Sequence, residues 1–306
     1  MTVIKILHNH KYLHMKALII FLLLSVPGLL FSQNDDSVET IITSVTESIH
    51  LISIPGGGNV GVLTGEDGIL IIDTHRKQFT DLLQNAISDI SNKPVNYVIN
   101  THWHYDHVEG NEAFGQGGSL IISHENCRNR LSEDQVIPIF MPHQQSTSPD
   151  GLPKLIFSDS ITLYLNNEIV HLSHFDNVHT NSDVIIHFKS SNVFHLGDIF
   201  VRYGIPFIDV PNGGDINGMI STCERIISIT DENSIIIPGH GPISNRNDLI
   251  NYVEMLTTIR DRISNGIQNG NSLEQIIESN PANEYNSIVE KDNLLELYYY
   301  SLKKNY

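Results

Sequence analysis

The sequence predicts a layered α/β fold, because an apolar strand, an amphipathic helix and a second apolar strand follow one another. We expect the strands at 69–73 and 95–100 and the helix at 78–90. Such a crossover places the two strands parallel, with the helix against one face of the sheet. A chain of 306 residues, of which 40% are hydrophobic, has the length for one large core or two small ones.

The N-terminus is typical of an export signal. Lys16 precedes an apolar run that contains Pro27 and gives way to polar residues after Ser32. The run is about 15 residues long, shorter than the roughly 20 that a membrane-spanning helix needs. We therefore expect a signal peptide at 1–32 that is removed, a periplasmic or secreted protein, and a single domain at 33–306. An uncleaved membrane anchor is the alternative, and the start codon is Met1 or Met15.

The rest of the first half is expected to alternate strands with short helices. Residues 33–48 are polar and predict a lead-in or an edge strand. We expect further strands at 59–64 and 119–123 and a helix at 126–134. Residues 135–153 show no periodicity and predict a long loop, either a flap with apolar side chains over the site or a surface insertion.

The second half begins with a predicted hairpin across Asn166 and Asn167. Hydrophobic periodicity then predicts three more strands and four helices, the last three of which form a C-terminal helical region from about residue 247. The strands are expected at 183–188, 193–197 and 234–237, and the helices at 216–230, 248–264, 273–279 and 292–303.

Charge and cysteine content exclude some functions. The formal net charge is −17, from 18 basic and 35 acidic residues, so the chain repels phosphate backbones and nucleic acid is not an expected partner. Only Cys127 and Cys223 are present, outside any CxxC spacing. We expect two free, buried thiols, with a single bridge as the alternative.

A cluster of three histidines and an aspartate follows the strand at 95–100. His102 and His104 are two residues apart, so in an extended segment their rings face the same way and chelate one ion. Asp106 and His107 fall on the turn that follows and can face a second ion. The alternative is a histidine-rich surface loop, which rarely assembles all four residues at this spacing.

The run HWHYDH resembles the HxHxDH motif of the metallo-β-lactamase superfamily, and the family's other motifs follow in order. His179 lies in a segment similar to the third-histidine motif, Asp198 in a Gly-Asp motif and His240 in Pro-Gly-His-Gly-Pro. Upstream, residues 68–74 match a strand that ends in the structural Asp73. The resemblance covers roughly residues 55–265.

This resemblance implies the four-layer αββα sandwich of the family and a centre with two metal ions. Carried over by motif, His102, His104 and His179 hold one ion, Asp106, His107 and His240 hold the other, and Asp198 bridges them. Two Zn²⁺ ions per chain suit these nitrogen and oxygen ligands, with Fe and Mn also open. Asp73 is expected to accept a hydrogen bond from a ligand imidazole or from the ligand loop.

The implied activity is hydrolysis of a small molecule. A hydroxide that bridges two cations is the nucleophile, and Asp106 orients it. The bridged ligand set is similar to that of glyoxalase II, lactonases and periplasmic β-lactamase-like hydrolases, so the expected substrate is an ester, lactone, thioester or β-lactam. Arg202 and Tyr203 are candidate substrate contacts, with Arg202 as an anchor for a carboxylate.

Three alternatives remain open. The protein is a class B-like β-lactamase proper, a phosphodiesterase, or a metal-binding module without catalysis. The intact ligand set disfavours the last. A redox role is disfavoured because the oxygen-reducing diiron branch of the family usually has Glu where this chain has His104.

Overall fold

The computed structural model describes residues 38–303. The predicted signal peptide therefore lies outside the described residues. Within them, the strands are β1 Ile41–Ser44, β2 Ile49–Ser53, β3 Val60–Leu63, β4 Ile69–Ile72, β5 Val95–Ile99, β6 Leu120–His124, β7 Gln135–Ile137, β8 Met141–Gln144, β9 Leu155–Phe157, β10 Ser160–Leu165, β11 Glu168–His174, β12 Val184–Phe188, β13 Val193–His195, β14 Ile235–Ile237 and β15 Ser244–Asn245. The helices are α1 Thr80–Ile90, α2 Tyr105–Val108, α3 Asn111–Gln116, α4 Glu125–Leu131, α5 Ile216–Ile229, α6 Arg246–Gln268, α7 Leu273–Glu278 and α8 Lys291–Lys303.

These strands form two large sheets and one hairpin. The first sheet has the order β1-β2-β3-β4-β5-β6-β9, and the second has the order β10-β11-β12-β13-β14-β15. β4, β5, β6 and β9 pair in parallel, as do β13 and β14. The predicted parallel crossover from β4 through α1 to β5 is therefore present.

Side-chain alternation assigns each strand face to a different core. In β4, Leu70 packs in the cluster between the two sheets, whereas its neighbour Ile69 packs in a second cluster with α1 and α3. In β14, Ile237 joins the cluster between the sheets and Ile236 joins a third cluster with α5, α6 and α8. Two sheets therefore lie face to face with helices outside both, which is the predicted α/β sandwich.

The structure contains several short elements that the sequence did not predict, among them α3 and β15. The polar lead-in contains β1, an edge strand as one of its two predicted alternatives had it, and β1 pairs with the unpredicted β2. The unpredicted β9 closes the other edge of the first sheet beside β6. Residues 135–144 are not irregular but form the antiparallel hairpin β7-β8. These are short, irregular or edge elements that depend on their neighbours for pairing.

The remaining predictions agree with the structure to within a few residues. The turn at Asn166 and Asn167 has φ angles of 54° and 62°, as a tight hairpin turn requires. Cys127 and Cys223 are buried and free. No helix in residues 38–303 is long and apolar enough to cross a membrane.

Candidate metal centre

The predicted ligands collect at one edge of the sandwich, where strands of both sheets end. The segment 102–107 follows β5, His179 lies between β11 and β12, Asp198 follows β13 and His240 follows β14. β13 and β14 are parallel, so their carboxyl ends bring Asp198 and His240 to the same place. Ligands of layered α/β proteins commonly bind at the carboxyl ends of strands, because the loops there converge.

The structure brings all seven predicted ligands together. His102, His104 and His179, hereafter the first group, place their candidate ligand atoms within 4.8 Å of one another. The same holds for Asp106, His107 and His240, hereafter the second group. A third set within this distance joins the two groups, and it consists of His102, His107 and Asp198.

Hydrogen bonds fix the rings of His104 and His179 so that one nitrogen of each faces the centre. Nε2 of His104 donates to the carboxylate of Asp209 at 3.0 Å, and Nδ1 of His179 donates to the carbonyl oxygen of Phe207 at 2.8 Å. The opposite nitrogens, Nδ1 of His104 and Nε2 of His179, then face each other at 2.9 Å. Two nitrogen lone pairs at this distance repel unless they share a cation.

One carboxylate orients a ligand from each group. Asp73 accepts a hydrogen bond from Nδ1 of His107 at 2.8 Å and another from the hydroxyl of Thr101 at 2.7 Å. The Thr101 oxygen in turn accepts from Nδ1 of His102 at 3.0 Å. Nε2 of both rings therefore points to the centre, and Nε2 of His102 is buried without a hydrogen-bond partner.

Asp198 lies between the two groups. Its Oδ1 is 3.2 Å from Nε2 of His107, and its Oδ2 is 3.4 Å from Nε2 of His240 and 3.8 Å from Nε2 of His179. A carboxylate in this position contacts ligands of both groups. This is the placement that a bridging ligand needs.

The electrostatics of the two groups differ. Burial lowers the pKa of His102 and His179, and neighbouring imidazoles lower it further, so these rings stay neutral. Burial also opposes the charge on His107 and His240, but Asp198 and Asp106 outweigh it and raise both pKa values, that of His240 to about 9. The same imidazolium charges hold the pKa of Asp106 and Asp198 below the usual range despite burial. The second group therefore attracts positive charge, whether as protons or as a metal ion.

These residues fit a divalent metal centre. The rings of His102 and His179 are neutral, and the buried Nε2 of His102 has no hydrogen-bond partner, so its lone pair is free for a cation. The ligand atoms are imidazole nitrogens and carboxylate oxygens, which suit zinc. The acceptors on the far side of each ring are typical of metal-ligating histidines.

A run of glycines packs over the second group. A Cβ at Gly58 would lie 2.2 Å from the His107 ring, and one at Gly57 would lie 2.4 Å from the ring of His75. Only glycine permits this approach. His75, whose role the sequence left open, donates Nε2 to the carbonyl oxygen of Ile54 at 2.9 Å and belongs to no metal-ligand set in the described residues.

A cavity of about 340 Å³ opens onto the cluster. Two of its lining side chains, Ile137 and Phe140, come from the hairpin 135–144, which occupies the first part of the predicted loop at 135–153. It is lined by Gly56, Gly57, His104, Tyr105, Asp106, Ile137, Phe140, Asp198, Tyr203, Phe207, His240 and Ile288.

Of the two predicted substrate residues, only Tyr203 lines the cavity. Its ring lies against His240, with the centroids 5.7 Å apart. Arg202, the predicted carboxylate anchor, is not among the lining residues, and its Nη1 pairs with Oδ1 of Asp248 at 2.5 Å and also donates to Ser244. These partners hold the guanidinium away from the cavity lining.

Sequence reasoning missed the residues that hold the ligand rings and part of the cavity wall. Asp209 and Thr101 are buried beside the ligands, and Ile288 comes from the segment between α7 and α8. Thr101 could have been found from its place next to His102. No local pattern marks Asp209 or Ile288.

Comparisons with known proteins agree with this geometry. Residues 53–240 match the family model described as the metallo-beta-lactamase superfamily. The chain is 19% identical over 217 residues to a metallo-beta-lactamase type 2 from Bacteroides fragilis, covering 68% of this chain and 80% of that protein.

Solved structures show the same fold. A metallo-beta-lactamase from Pontibacter korlensis matches with a TM-score of 0.60 at 17% identity, covering 72% of this chain and 99% of the other. A stereoselective inverting sec-alkylsulfatase from a Pseudomonas species matches with a TM-score of 0.62 at 14% identity, covering 87% of this chain and 50% of the other. At such identities the likeness establishes the αββα sandwich fold alone.

Proposed function

This chain belongs to the metallo-beta-lactamase superfamily, and on that premise we propose that it is a hydrolase with two zinc ions that cleaves esters, lactones or thioesters. β-Lactam amides are weaker substrates in this proposal. The observation that carries it is the convergence of buried, lone-pair-bearing ring nitrogens around Asp198. Such a constellation costs stability unless it binds cations.

The two groups divide the ligands. His102, His104 and His179 would hold one ion, and Asp106, His107 and His240 would hold the other, with Asp198 between them. When bound, two divalent cations supply a water of lowered pKa as nucleophile and polarise the carbonyl of the substrate.

Three residues of the cavity can hydrogen-bond to the attacking water or to the substrate. Asp106 stays ionised and faces the cavity, so its carboxylate can accept a hydrogen bond from the attacking water and orient it. Burial raises the pKa of Tyr105 to about 12 and that of Tyr203 well above its ordinary value. Both phenols therefore keep their protons at neutral pH and are available to donate to a substrate oxygen.

The cavity lining argues against the alternatives. A phosphodiesterase or an efficient β-lactamase gains from a cation that pairs with the phosphate or carboxylate of its substrate. In the described part of the chain no Lys or Arg lines this cavity, and Arg202 pairs with Asp248 instead. A carbonyl substrate without an anionic anchor fits these residues better.

A turnover panel and a metal count test the proposal together. Purified, zinc-loaded protein would be assayed with carboxylic esters, lactones, thioesters, nitrocefin, a phosphodiester and a sulfate ester. We expect two zinc ions per chain by elemental analysis and turnover concentrated in the first three classes.

Asp198→Ala should lose zinc and lower turnover at least about 100-fold. Asp176→Ala, at a side chain that is 70% exposed, is the matched control. One tightly bound ion in the wild type, with full activity in Asp198→Ala, would overturn the dinuclear centre.

A further inference from the structure

We infer that the part of the substrate beyond the scissile carbonyl is uncharged and apolar, and that it packs against Phe140 and Phe207. This inference rests on the proposed hydrolase function and specifies its substrate. The observations behind it are the chemistry of the cavity wall, the positions of Arg76 and Arg202, and the origin of the apolar side chains.

The wall above the cluster is apolar. Phe140 and Phe207 meet edge to face with their ring centroids 5.0 Å apart, and Ile137 and Ile288 complete the wall. The side chain of Ile288 is 57% exposed, so this residue lies at the mouth. Four apolar side chains from three separate segments of the chain thus surround one volume of about 340 Å³.

The same wall offers few polar partners. Among the described residues 38–303, the only polar side chains in this wall are Tyr105, Tyr203 and four members of the metal cluster. A charged or amide group of a substrate that entered this cavity beyond the cluster would lose water without gaining a partner. Leaving a buried polar group unpaired weakens binding by about 5- to 150-fold.

The guanidinium of Arg76 contacts two lining residues but does not itself line the cavity. The guanidinium carbon of Arg76 is 5.2 Å from the centroid of the Tyr105 ring, and its Nη1 donates to the carbonyl oxygen of Gly56. Both of these partners line the cavity, whereas Arg76 does not. Tyr105 and Gly56 therefore occupy the contacts through which Arg76 would reach a carboxylate.

An apolar wall of this kind predicts that kcat/KM increases with the length of the substrate's alkyl chain. Each methylene that leaves water for an apolar site gains a factor of roughly four in affinity or specificity. The gain should end where the chain passes Ile288 and returns to solvent. A carboxylate at the end of a chain that still lies within the cavity should cancel the gain.

Two series of p-nitrophenyl esters test this with the zinc-loaded protein. One series runs from acetate to octanoate, and the other has the same lengths but ends in a carboxylate. We expect kcat/KM to rise about threefold per methylene over the first few members, and the carboxylate-ended esters to be at least 10-fold poorer. A flat neutral series, or a preference for the carboxylates, overturns the inference.

Variants test whether Phe140 causes the increase of kcat/KM with chain length. Phe140→Ala should lower the ratio of hexanoate to acetate turnover about 10-fold. Val136→Ala is the matched control, since Val136 belongs to the same hairpin but is 57% exposed and does not line the cavity. Equal melting temperatures and zinc contents would show that both variants are folded. An unchanged ratio in Phe140→Ala contradicts the inference.

Two further outcomes separate this inference from the proposed function. If the zinc-loaded protein hydrolyses neither an ester of these series nor the lactones and thioesters of the panel, the hydrolase proposal fails. If acetate is hydrolysed but the longest carboxylate-ended ester is best, only the inference fails. Loss of that preference in Arg76→Ala would then identify Arg76 as the anchor.

Discussion

His104 and Asp209 are 105 positions apart, yet Nε2 of the imidazole lies 3.0 Å from a carboxylate oxygen of the aspartate. Asp209 is fully buried, and both of its oxygens accept from Nδ2 of Asn212 at 2.9 Å. Arg130 in turn donates to the Asn212 side chain at 2.8 Å. The carboxylate is therefore held by its own partners, and it obliges His104 to present Nδ1 to the centre.

We expect Asp209→Asn to weaken metal binding in the first group. The amide keeps the shape of the carboxylate but lacks its charge, so the His104 ring loses its charged acceptor. Removal of such a partner typically lowers metal affinity 10- to 100-fold. Zinc affinity measured by competition with a chromophoric chelator checks this.

Asp176→Asn is the control for that variant. Asp176 also lies 2.9 Å from an imidazole nitrogen, that of His174, but its side chain is 70% exposed and outside the cluster. Its substitution should leave zinc affinity unchanged. An unaltered affinity in Asp209→Asn would mean that packing alone holds the His104 ring.

Asn212 connects the same carboxylate to the hairpin 135–144. Its Nδ2 also donates to the carbonyl oxygen of Val136 at 2.9 Å. We expect Asn212→Ala to lower the free energy of unfolding by about 1–3 kcal/mol, because it leaves buried partners unpaired. Cleavage within 135–144 by a nonspecific protease should also become faster, as mass spectrometry of the fragments would show.

Asn96→Ala is the comparison, since Asn96 makes an exposed hydrogen bond to the Asp67 carbonyl. Its cost should stay within about 0.5 kcal/mol. Equal protease sensitivity of the hairpin in both variants would disprove the connection through Asn212.

Gly58 is expected to be intolerant of any side chain. A Cβ there would lie 2.2 Å from the His107 ring, so Gly58→Ala must displace the ring or the loop. We expect zinc in the second group to bind at least about 10-fold more weakly, with a loss of turnover. Gly117→Ala, where the nearest atoms to a Cβ are 3.2 Å and 3.3 Å away, should leave metal content intact. Full zinc occupancy in Gly58→Ala would contradict the steric argument.

How far the sequence predicts this site depends on how local each signal is. The four residues at 102–107 are found from spacing, because the backbone that positions them is continuous. His179, Asp198 and His240 lie in short motifs and are found through the resemblance. Asp209 lies in no recognisable motif, since it contacts His104 only after the two halves of the chain have packed.

The errors have equally specific causes. Arg202 follows Asp198 closely in sequence, but Val201 bridges to His240 and the next side chain turns to Asp248. The hairpin 135–144 was missed because its turn contains Ile139 at φ 74°, where a β-branched residue is rare and gives no turn signal. Proximity in sequence does not determine which way a side chain points, and a turn without glycine or asparagine cannot be predicted from its residues.

Arg202 should matter for structure and not for substrates. Its ion pair with Asp248 connects the segment after β13 to α6 at a partly exposed position, so Arg202→Ala should cost at most about 1 kcal/mol of unfolding free energy. We expect kcat/KM to stay within twofold for esters and for nitrocefin. Parallel assays of neutral and carboxylate-bearing substrates check this. A selective loss with the carboxylate-bearing substrate would restore Arg202 as an anchor.

The last prediction concerns acid stability and His195. This residue is fully buried on β13, and its Nδ1 accepts the Gly197 amide at 3.3 Å. Burial lowers its pKa to about 4, against an ordinary value of 6.5. Above pH 6.5 the ring is neutral in the folded and the unfolded chain, so its ionisation does not lower the free energy of unfolding there. As the pH falls from 6.5 towards 4, only the unfolded chain takes up the proton, so stability is lost.

Between pH 7.5 and pH 5 this loss amounts to roughly 2 kcal/mol of unfolding free energy. Urea unfolding of the wild type and His195→Asn at both pH values should therefore show the variant losing roughly 2 kcal/mol less. His143→Asn, at a side chain that is 58% exposed, should follow the wild type. Parallel pH profiles for the wild type and His195→Asn would show that the acid sensitivity arises elsewhere.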